Sequence, residues 1–65
     1  MPEFTISLKA ARNNAGLTQK ELAEKLHVNR TTVNNWETGR SKPDFAALTL
    51  IADICKIPID LISLP

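Results

Sequence analysis

The sequence predicts a compact all-α domain made of five short helices. Gly16, Gly39, Pro43 and Pro58 divide its 65 residues into short segments, and glycine and proline commonly mark the ends of helices. Within these segments, apolar residues recur at helical spacing. Apolar residues alternate with period two only at residues 57–59, where Pro58 argues against a strand because proline cannot donate to a neighbouring strand.

The first predicted helix has one apolar face and ends at a glycine. Ile6, Leu8, Ala11 and Ala15 recur at near-helical spacing. Gly16 follows directly, and glycine readily adopts the left-handed conformation in which many helices end. We therefore expect this helix to end at Gly16.

The second predicted helix begins with a capping box. Thr18 precedes Glu21 by three residues, so that each side chain can accept a hydrogen bond from the backbone N–H of the other residue. The apolar face of this helix consists of Leu22, Ala23 and Leu26. Residues 27–29 then interrupt the helical pattern.

The third predicted helix starts after Asn29, because asparagine favours the N-cap position, and it ends at Gly39. Val33, Trp36 and Glu37 lie on one side of it.

Two further helices complete the predicted fold. Asp44 can cap a fourth helix over Phe45–Cys55. Pro58 suits the first turn of a short fifth helix, since a proline there removes no helical hydrogen bond.

Charge is distributed unevenly along the chain, whose formal net charge is +1. Residues 1–43 contain seven Lys or Arg and four Asp or Glu, a net charge of +3. Residues 44–65 contain one Lys and three Asp, a net charge of −2. A phosphate backbone would attract the first part of the chain, so the acidic and apolar second part must have another role.

Composition argues against several classes of protein. A single cysteine excludes an intramolecular disulfide, and one cysteine with one histidine is too few for a structural zinc site. We find no catalytic Ser/His/Asp or Cys/His set and no glycine-rich phosphate loop, so we expect no enzyme, no metal, no cofactor and no small-molecule ligand. The chain has no leader-like amino terminus, and its longest apolar stretch is too short to span a membrane. We expect a cytoplasmic protein associated with the nucleoid.

The outer face of the third helix carries an unusual set of side chains. They are short or forked hydrogen-bonding groups with no carboxylate among them: Arg30, Thr31, Thr32, Asn34 and Asn35. Threonine and asparagine form helices poorly, so this face gives up stability for another purpose. These groups match the edges of DNA bases, arginine pairing with guanine and asparagine with adenine. The pattern indicates a helix that reads double-stranded DNA.

A wider set of residues resembles a known family. The run TQKELAEKL at residues 18–26, then Val28, Asn29, Val33, the run WETGR at residues 36–40, and Pro43 resemble the phage-repressor and Cro type of helix-turn-helix domain, also called xenobiotic-response-element-like. The resemblance covers residues 8–62. It implies a lambda-repressor-like fold in a single domain over residues 1–65, with helices 2 and 3 forming the motif at about residues 18–38.

The resemblance also implies roles for individual residues. The residues expected to contact bases are Arg30, Thr31 and Asn35, with Thr32 and Asn34 close by. Those expected to contact phosphates are Gln19, Thr38, Arg40 and Lys42. Gln19 is also expected to brace the third helix.

Other residues match structural positions of the family. Arg12 and Glu37 match a pair that forms an internal salt bridge in several members. Ala23 lets helices 2 and 3 cross closely, and Val28 packs beneath the turn. The chain departs from the family at His27, where glycine is usual, which we expect to cost roughly 1 kcal/mol without changing the fold.

The last two helices are more apolar than a monomer of this size needs. By resemblance, the core positions are Phe45, Leu48, Ile51, Ala52, Cys55, Ile57 and Ile59. A second apolar stripe, commonly polar in the family, consists of Ala47, Leu50 and Ile54, with Leu61 and Leu64 nearby. Such a stripe usually marks an interface, and we expect a two-fold homodimer through it. The alternative is that residues 61–65 fold back and cover the stripe.

The sequence therefore predicts a sequence-specific regulator of transcription, most simply a repressor that binds a near-palindromic operator as a homodimer. Two alternatives stay open. In the first, the chain is an antitoxin-type protein whose main partner is a toxin. In the second, it is a helical protein-interaction module that has lost DNA binding.

Overall fold

The computed structural model describes residues 4–65 and is mostly helical, as predicted. Residues 1–3 of the expected domain lie outside the described residues. The four α-helices are α1 (Leu8–Asn14), α2 (Gln19–Leu26), α3 (Arg30–Thr38) and α4 (Phe45–Cys55). The fifth predicted helix is only a 3-10 helix of three residues, Ile59–Leu61. It stops after one turn because the chain becomes extended at Ile62, with φ −86° and ψ 119°.

The prediction that no strand would form was wrong for the two ends of the described chain. Strands β1 (Ile6–Ser7) and β2 (Ile62–Ser63) pair in parallel, with Ile6 opposite Ile62 and Ser7 opposite Ser63. Ile6, expected in the first helix, therefore lies in a strand. The helix begins later because Ser7 is its N-cap, and the Ser7 side chain accepts a hydrogen bond from Ala10 N at 3.0 Å.

Local sequence signals fix the beginnings of α2 and α4. The predicted capping box is present on α2, where Thr18 Oγ1 accepts from Glu21 N at 3.1 Å and Glu21 Oε1 accepts from Thr18 N at 2.9 Å. Asp44 caps α4 as predicted, because its side chain accepts from Ala47 N at 2.8 Å. Asn29 is the N-cap of α3, yet within residues 4–65 its side chain accepts no capping hydrogen bond.

Left-handed residues follow the carboxyl ends of the helices. Gly16 and Gly39 have φ values of 74° and 85°, as their positions predicted. His27 has φ 58° after α2, the conformation for which the family usually has glycine. Lys56 has φ 57° after α4, a second strained position that the sequence analysis did not identify.

The largest fully buried side chains come one from each α-helix, namely Leu8, Leu22, Val33 and Ile51. Cys55 is buried as expected. The longest helix in residues 4–65 has 11 residues, and no described helix has both the length and the apolar character to cross a bilayer.

Phe45 corrects one expectation about the core. Its side chain is 76% exposed. Phe45 is the first residue of α4, so it lies at the edge of the hydrophobic core rather than inside it. Phe45 instead forms the end of an open apolar groove between α4 and the 3-10 helix. The other residues that line this groove are Thr49, Ala52, Asp53, Lys56, Ile57 and Ile59.

Candidate nucleic-acid interface

The two sides of α3 carry opposite kinds of residue. Val33 and Trp36 are buried on the inner side and fix the helix to the core. With a helical period of 3.6 residues, the outer side is centred on Thr31 and Thr38, which are both exposed. The remaining predicted base-contacting residues flank this line: Arg30, which is exposed, and Thr32, Asn34 and Asn35, which are half-buried.

Three of the four predicted phosphate-contacting residues lie outside α3, one on α2 and two in the segment that follows α3. Gln19 is the first residue of α2 and is half-buried. Arg40 and Lys42 follow α3 and are exposed. The carbonyl oxygen of Asn35 accepts hydrogen bonds from Arg40 N at 3.0 Å and Ser41 N at 3.3 Å, so the end of α3 holds the segment that carries Arg40.

Thr38 has a hydrogen bond that limits its predicted role. Its hydroxyl group donates to Asn34 O at 2.9 Å. While this bond exists, the hydroxyl oxygen can only accept further hydrogen bonds, and phosphate oxygens are also acceptors. Contact between Thr38 and a phosphate therefore requires its hydroxyl group to rotate away from the carbonyl of Asn34.

A buried ion pair lies directly beneath this surface. Arg12 Nε donates to Glu37 Oε2 at 2.7 Å, and Arg12 Nη2 donates to Glu37 Oε1 at 3.2 Å. The two side chains are only 8% and 3% exposed. Arg12 Nη1 also donates to Leu17 O at 2.8 Å. The guanidinium group thus joins α1, the connection to α2, and α3 through a forked, charge-assisted contact.

Gln19 connects this ion pair to the outer side of α3. Its Nε2 donates to Glu37 Oε1 at 3.0 Å and to Asn34 Oδ1 at 3.2 Å. Its Oε1 accepts from Arg30 Nη1 at 3.0 Å. The structure therefore brings a predicted phosphate-contacting residue and two predicted base-contacting residues into one hydrogen-bonded network. The resemblance implies that Gln19 braces α3, but the sequence does not identify the partners of its side chain, which lie 11 to 18 residues away along the chain.

The five predicted interface residues are not equally accessible. Leu50 is 53% exposed. The others are half-buried: Ala47, Ile54, Leu61 and Leu64. Three of these, Ala47, Ile54 and Leu64, pack against the core of the same chain. The largest exposed apolar side chain of α4 is Phe45, which the sequence analysis placed in the core.

Comparisons with known proteins agree with this architecture. The helix-turn-helix family model matches residues 8–62. The HTH-type transcriptional activator BcrR of Enterococcus faecalis is 38% identical over 58 residues, which are 89% of this chain and 28% of that protein. The HTH-type transcriptional regulator ImmR of Bacillus subtilis (strain 168) is 38% identical over 53 residues, 82% of this chain and 42% of that protein.

A third relative, the uncharacterized HTH-type transcriptional regulator YqaE of Bacillus subtilis (strain 168), is 33% identical over 57 residues. The chain spans less than half of the length of each of these three relatives. No solved structure is a significant match. Because the family model covers most of the chain, the chain belongs to the helix-turn-helix family of the phage-repressor and Cro type.

Proposed function

We propose that this protein binds a specific sequence of double-stranded DNA as a homodimer and represses transcription by occupying a near-palindromic operator. In this proposal α2 and α3 form the helix-turn-helix unit over residues 18–38, and α3 lies in the major groove. The observation that carries the proposal is the outer side of α3, where arginine, threonine and asparagine face away from the core. The one carboxylate of α3, on Glu37, does not belong to this side and is buried in an ion pair.

Each group on this surface suits one kind of DNA contact. Arg30 can donate a pair of hydrogen bonds to guanine, and Asn35 can exchange a pair with adenine. Thr31 and Thr32 present methyl groups that fit the methyl group of thymine. The side-chain oxygen of Asn34 accepts a hydrogen bond from Gln19, so its NH2 group is left for a base. The residues proposed to hold phosphates are Gln19, Thr38, Arg40 and Lys42. Because both side-chain N–H groups of Gln19 are engaged, Gln19 would use its backbone N–H at the first position of α2.

Electrostatics supports a regulator whose affinity depends on more than charge. A net charge of +3 over residues 1–43 attracts DNA, but it is small for a protein that binds through phosphate contacts alone. We expect few phosphate contacts and a modest dependence of affinity on salt concentration. Such a protein would act in the cytoplasm, on the nucleoid.

The homodimer is proposed through the apolar stripe of α4, centred on the exposed Leu50. A two-fold axis would place two copies of α3 at half-sites about one turn of DNA apart, roughly 34–36 Å. The operator would then be near-palindromic because it mirrors the symmetry of the protein. Ala47, Ile54, Leu61 and Leu64 surround Leu50 in this arrangement and contribute the part of their surface that the monomer leaves exposed.

Selection of binding sites from random duplex DNA tests the proposal directly. We expect two inverted half-sites with a fixed spacing. Arg30→Ala should weaken specific binding by about 1–3 kcal/mol and relax preference at one position of each half-site. Arg40→Ala should weaken binding to all sequences similarly. If Arg30→Ala leaves the affinities for the selected sequence and for random DNA unchanged, the assignment of α3 as the reading helix is wrong.

The direction of regulation needs its own experiment, because one relative is named an activator and the others are named regulators. Repression by occupancy predicts that a promoter overlapping the selected site is silenced when the protein is present. A reporter placed behind that promoter measures this. Increased reporter expression would show that the protein activates transcription instead of repressing it. The proposed DNA binding would not be affected by that result.

A second candidate is a DNA-binding antitoxin whose partner is a toxin. The observation that favours it is the open apolar groove that begins at Phe45, since exposed apolar surface commonly marks a protein interface. Co-purification of a stoichiometric partner that is released by Phe45→Lys would support this candidate. A homodimer with no other bound protein, unaffected by Phe45→Lys, would exclude it.

A further inference from the structure

The side-chain amide of Gln19 has only one orientation that fits its surroundings. Its NH2 group faces two acceptors, Glu37 Oε1 at 3.0 Å and Asn34 Oδ1 at 3.2 Å, and its oxygen faces the donor Arg30 Nη1 at 3.0 Å. A flipped amide would set its oxygen against the Glu37 carboxylate and its NH2 group against the Arg30 guanidinium. Acceptors would then meet acceptors and donors would meet donors. The surroundings of Gln19 therefore select one of its two orientations.

Glu37 has the strongest influence on this choice. Its side chain is 3% exposed, so its charge acts with little screening by water. Arg12 fixes it from the other side with bonds at 2.7 and 3.2 Å. Asn34 is a weaker determinant, since it is neutral and its own amide can rotate. The position of the Glu37 carboxylate is thus set by the core, and Gln19 must present its NH2 group to it.

We propose that Glu37 is a positioning residue that sets the base preference of Arg30 through Gln19, without contacting DNA. This inference rests on the proposed function, in which Arg30 reads a base. The carboxylate of Glu37 turns Gln19 Oε1 towards Arg30, and this oxygen holds one of the guanidinium N–H groups. Within residues 4–65 the guanidinium group of Arg30 makes no other hydrogen bond, so its remaining N–H groups can donate to a base edge.

The advantage of this arrangement is that Arg30 is ordered before DNA arrives. Immobilising a long side chain opposes binding because the side chain loses conformational freedom. Arg30 is exposed and would sample many rotamers without a partner. With Gln19 as its partner, part of that loss occurs on folding rather than on binding, and the guanidinium plane is held in one direction.

The test measures discrimination, defined as the ratio of affinities for the selected base and for the other bases at the position read by Arg30. Glu37→Gln replaces the carboxylate with an amide of the same shape, and Gln19→Met removes the connection while leaving the Arg12–Glu37 ion pair in place. We expect both variants to lower discrimination about two- to tenfold, as when one side chain must be re-ordered on binding. A uniform loss of affinity from a missing phosphate contact cancels in the ratio.

A double-mutant cycle separates positioning from general stability. In the Arg30→Ala background, neither Glu37→Gln nor Gln19→Met should change discrimination at this position further. Lys20→Met is the matched control for Gln19→Met, because Lys20 is the next residue of α2 and is exposed. It should leave discrimination as in the wild type. If Glu37→Gln fails to fold, Gln19→Met still decides the outcome, since it does not disturb the buried ion pair.

A measurement without DNA keeps this inference distinct from the proposed function. In 15N-labelled free protein, the side-chain NH2 resonances of Gln19 should shift in Glu37→Gln and stay unchanged in Lys20→Met. Resonances typical of a fully solvated glutamine in the wild type would overturn the inference whether or not DNA binds. If the wild type selects a DNA sequence and both variants keep full discrimination, the inference fails alone. If it selects none, the proposed function fails as well.

Discussion

The exposed sides of α3 and α4 differ in what holds them in place. The polar side of α3 is tied to the molecule by directed hydrogen bonds, from Arg30 to Gln19 and from Gln19 to the buried carboxylate of Glu37. The exposed part of α4 presents Phe45 and Leu50, with 76% and 53% of their surface accessible. Hydrogen bonds depend on direction, whereas apolar contact depends mainly on area. The first surface is therefore suited to selecting a sequence and the second to adding affinity.

This difference also appears in how each helix is stabilised. The residues of α3 form helices poorly, and within residues 4–65 the side chain of its N-cap, Asn29, makes no capping hydrogen bond. The helix depends on tertiary contacts, chiefly Val33 and Trp36 in the core and the ion pair from Glu37 to Arg12. In contrast, α4 has 11 mostly apolar residues and an Asp44 cap. The proposed DNA-reading surface is thus the part more dependent on the rest of the fold.

The largest expected effect comes from removing the support beneath α3. Arg12→Ala would leave the buried carboxylate of Glu37 without its charged partner, which costs about 3–5 kcal/mol. That is a large part of the stability expected for a small domain. Urea unfolding measures the loss. The control is Lys9→Ala, which removes an exposed positive charge from α1, the helix that carries Arg12. If both variants lose equally little free energy of unfolding, α3 does not depend on the ion pair.

The next largest effect tests the apolar side. Leu50→Lys places a charge on the proposed interface and should convert the dimer to a monomer, lowering affinity for a two-half-site operator about a hundredfold. Because Leu50 is exposed and lysine is a good helix former, stability of the monomer should change by less than about 0.5 kcal/mol. Sedimentation and operator titration measure both effects.

Phe45→Lys is the matched variant on the other flank of α4. If the dimer forms through Leu50, this variant stays dimeric and binds the operator as the wild type does. Dissociation by Phe45→Lys but not by Leu50→Lys would move the interface to the groove that begins at Phe45.

The same contrast explains how far the sequence predicts the fold. The capping box at Thr18 and Glu21 and the cap at Asp44 are local, so the beginnings of α2 and α4 follow from neighbouring residues. The pairing of Ile6 with Ile62 joins residues far apart in the chain and involves two residues in each strand. Such a short pairing leaves no period-two pattern to detect.

For the candidate site, residue type predicts the outer side of α3 because asparagine and threonine are rare choices for a solvated helix. It does not predict which of these side chains contact one another. The bond from Arg30 to Gln19 depends on how α2 and α3 cross. Phe45 was misplaced for a related reason: periodicity indicates which residues are apolar, but not which edge of α4 the next segment covers.

A smaller effect on stability is expected at the carboxyl ends of α2 and α4, which have the same backbone conformation. His27 and Lys56 have φ values of 58° and 57°, which cost a non-glycine residue about 1–2 kcal/mol. Glycine removes this strain, but its greater conformational freedom in the unfolded state lowers the free energy of unfolding by about 0.5–1 kcal/mol. His27→Gly and Lys56→Gly should each raise the free energy of unfolding by about 0.5–1 kcal/mol. A clearly unequal gain would show that one of the two native side chains makes a contact that offsets its strain.

The smallest effect concerns the amino end of α2, where Glu21 completes the capping box. Hydrogen bonds from the backbone and side chain of Thr18 hold the pKa of Glu21 below its ordinary value of 4.5. The charged carboxylate therefore stabilises the folded state above pH 4.5, and this contribution is lost as the pH falls through the lowered value. Glu21→Gln should be less stable than the wild type at neutral pH, and the difference should shrink in acid. Glu24→Gln, on the same helix but outside the capping box, is the matched control. If its urea midpoint converges with that of the wild type in acid to the same extent, general charge rather than the cap explains the pH dependence.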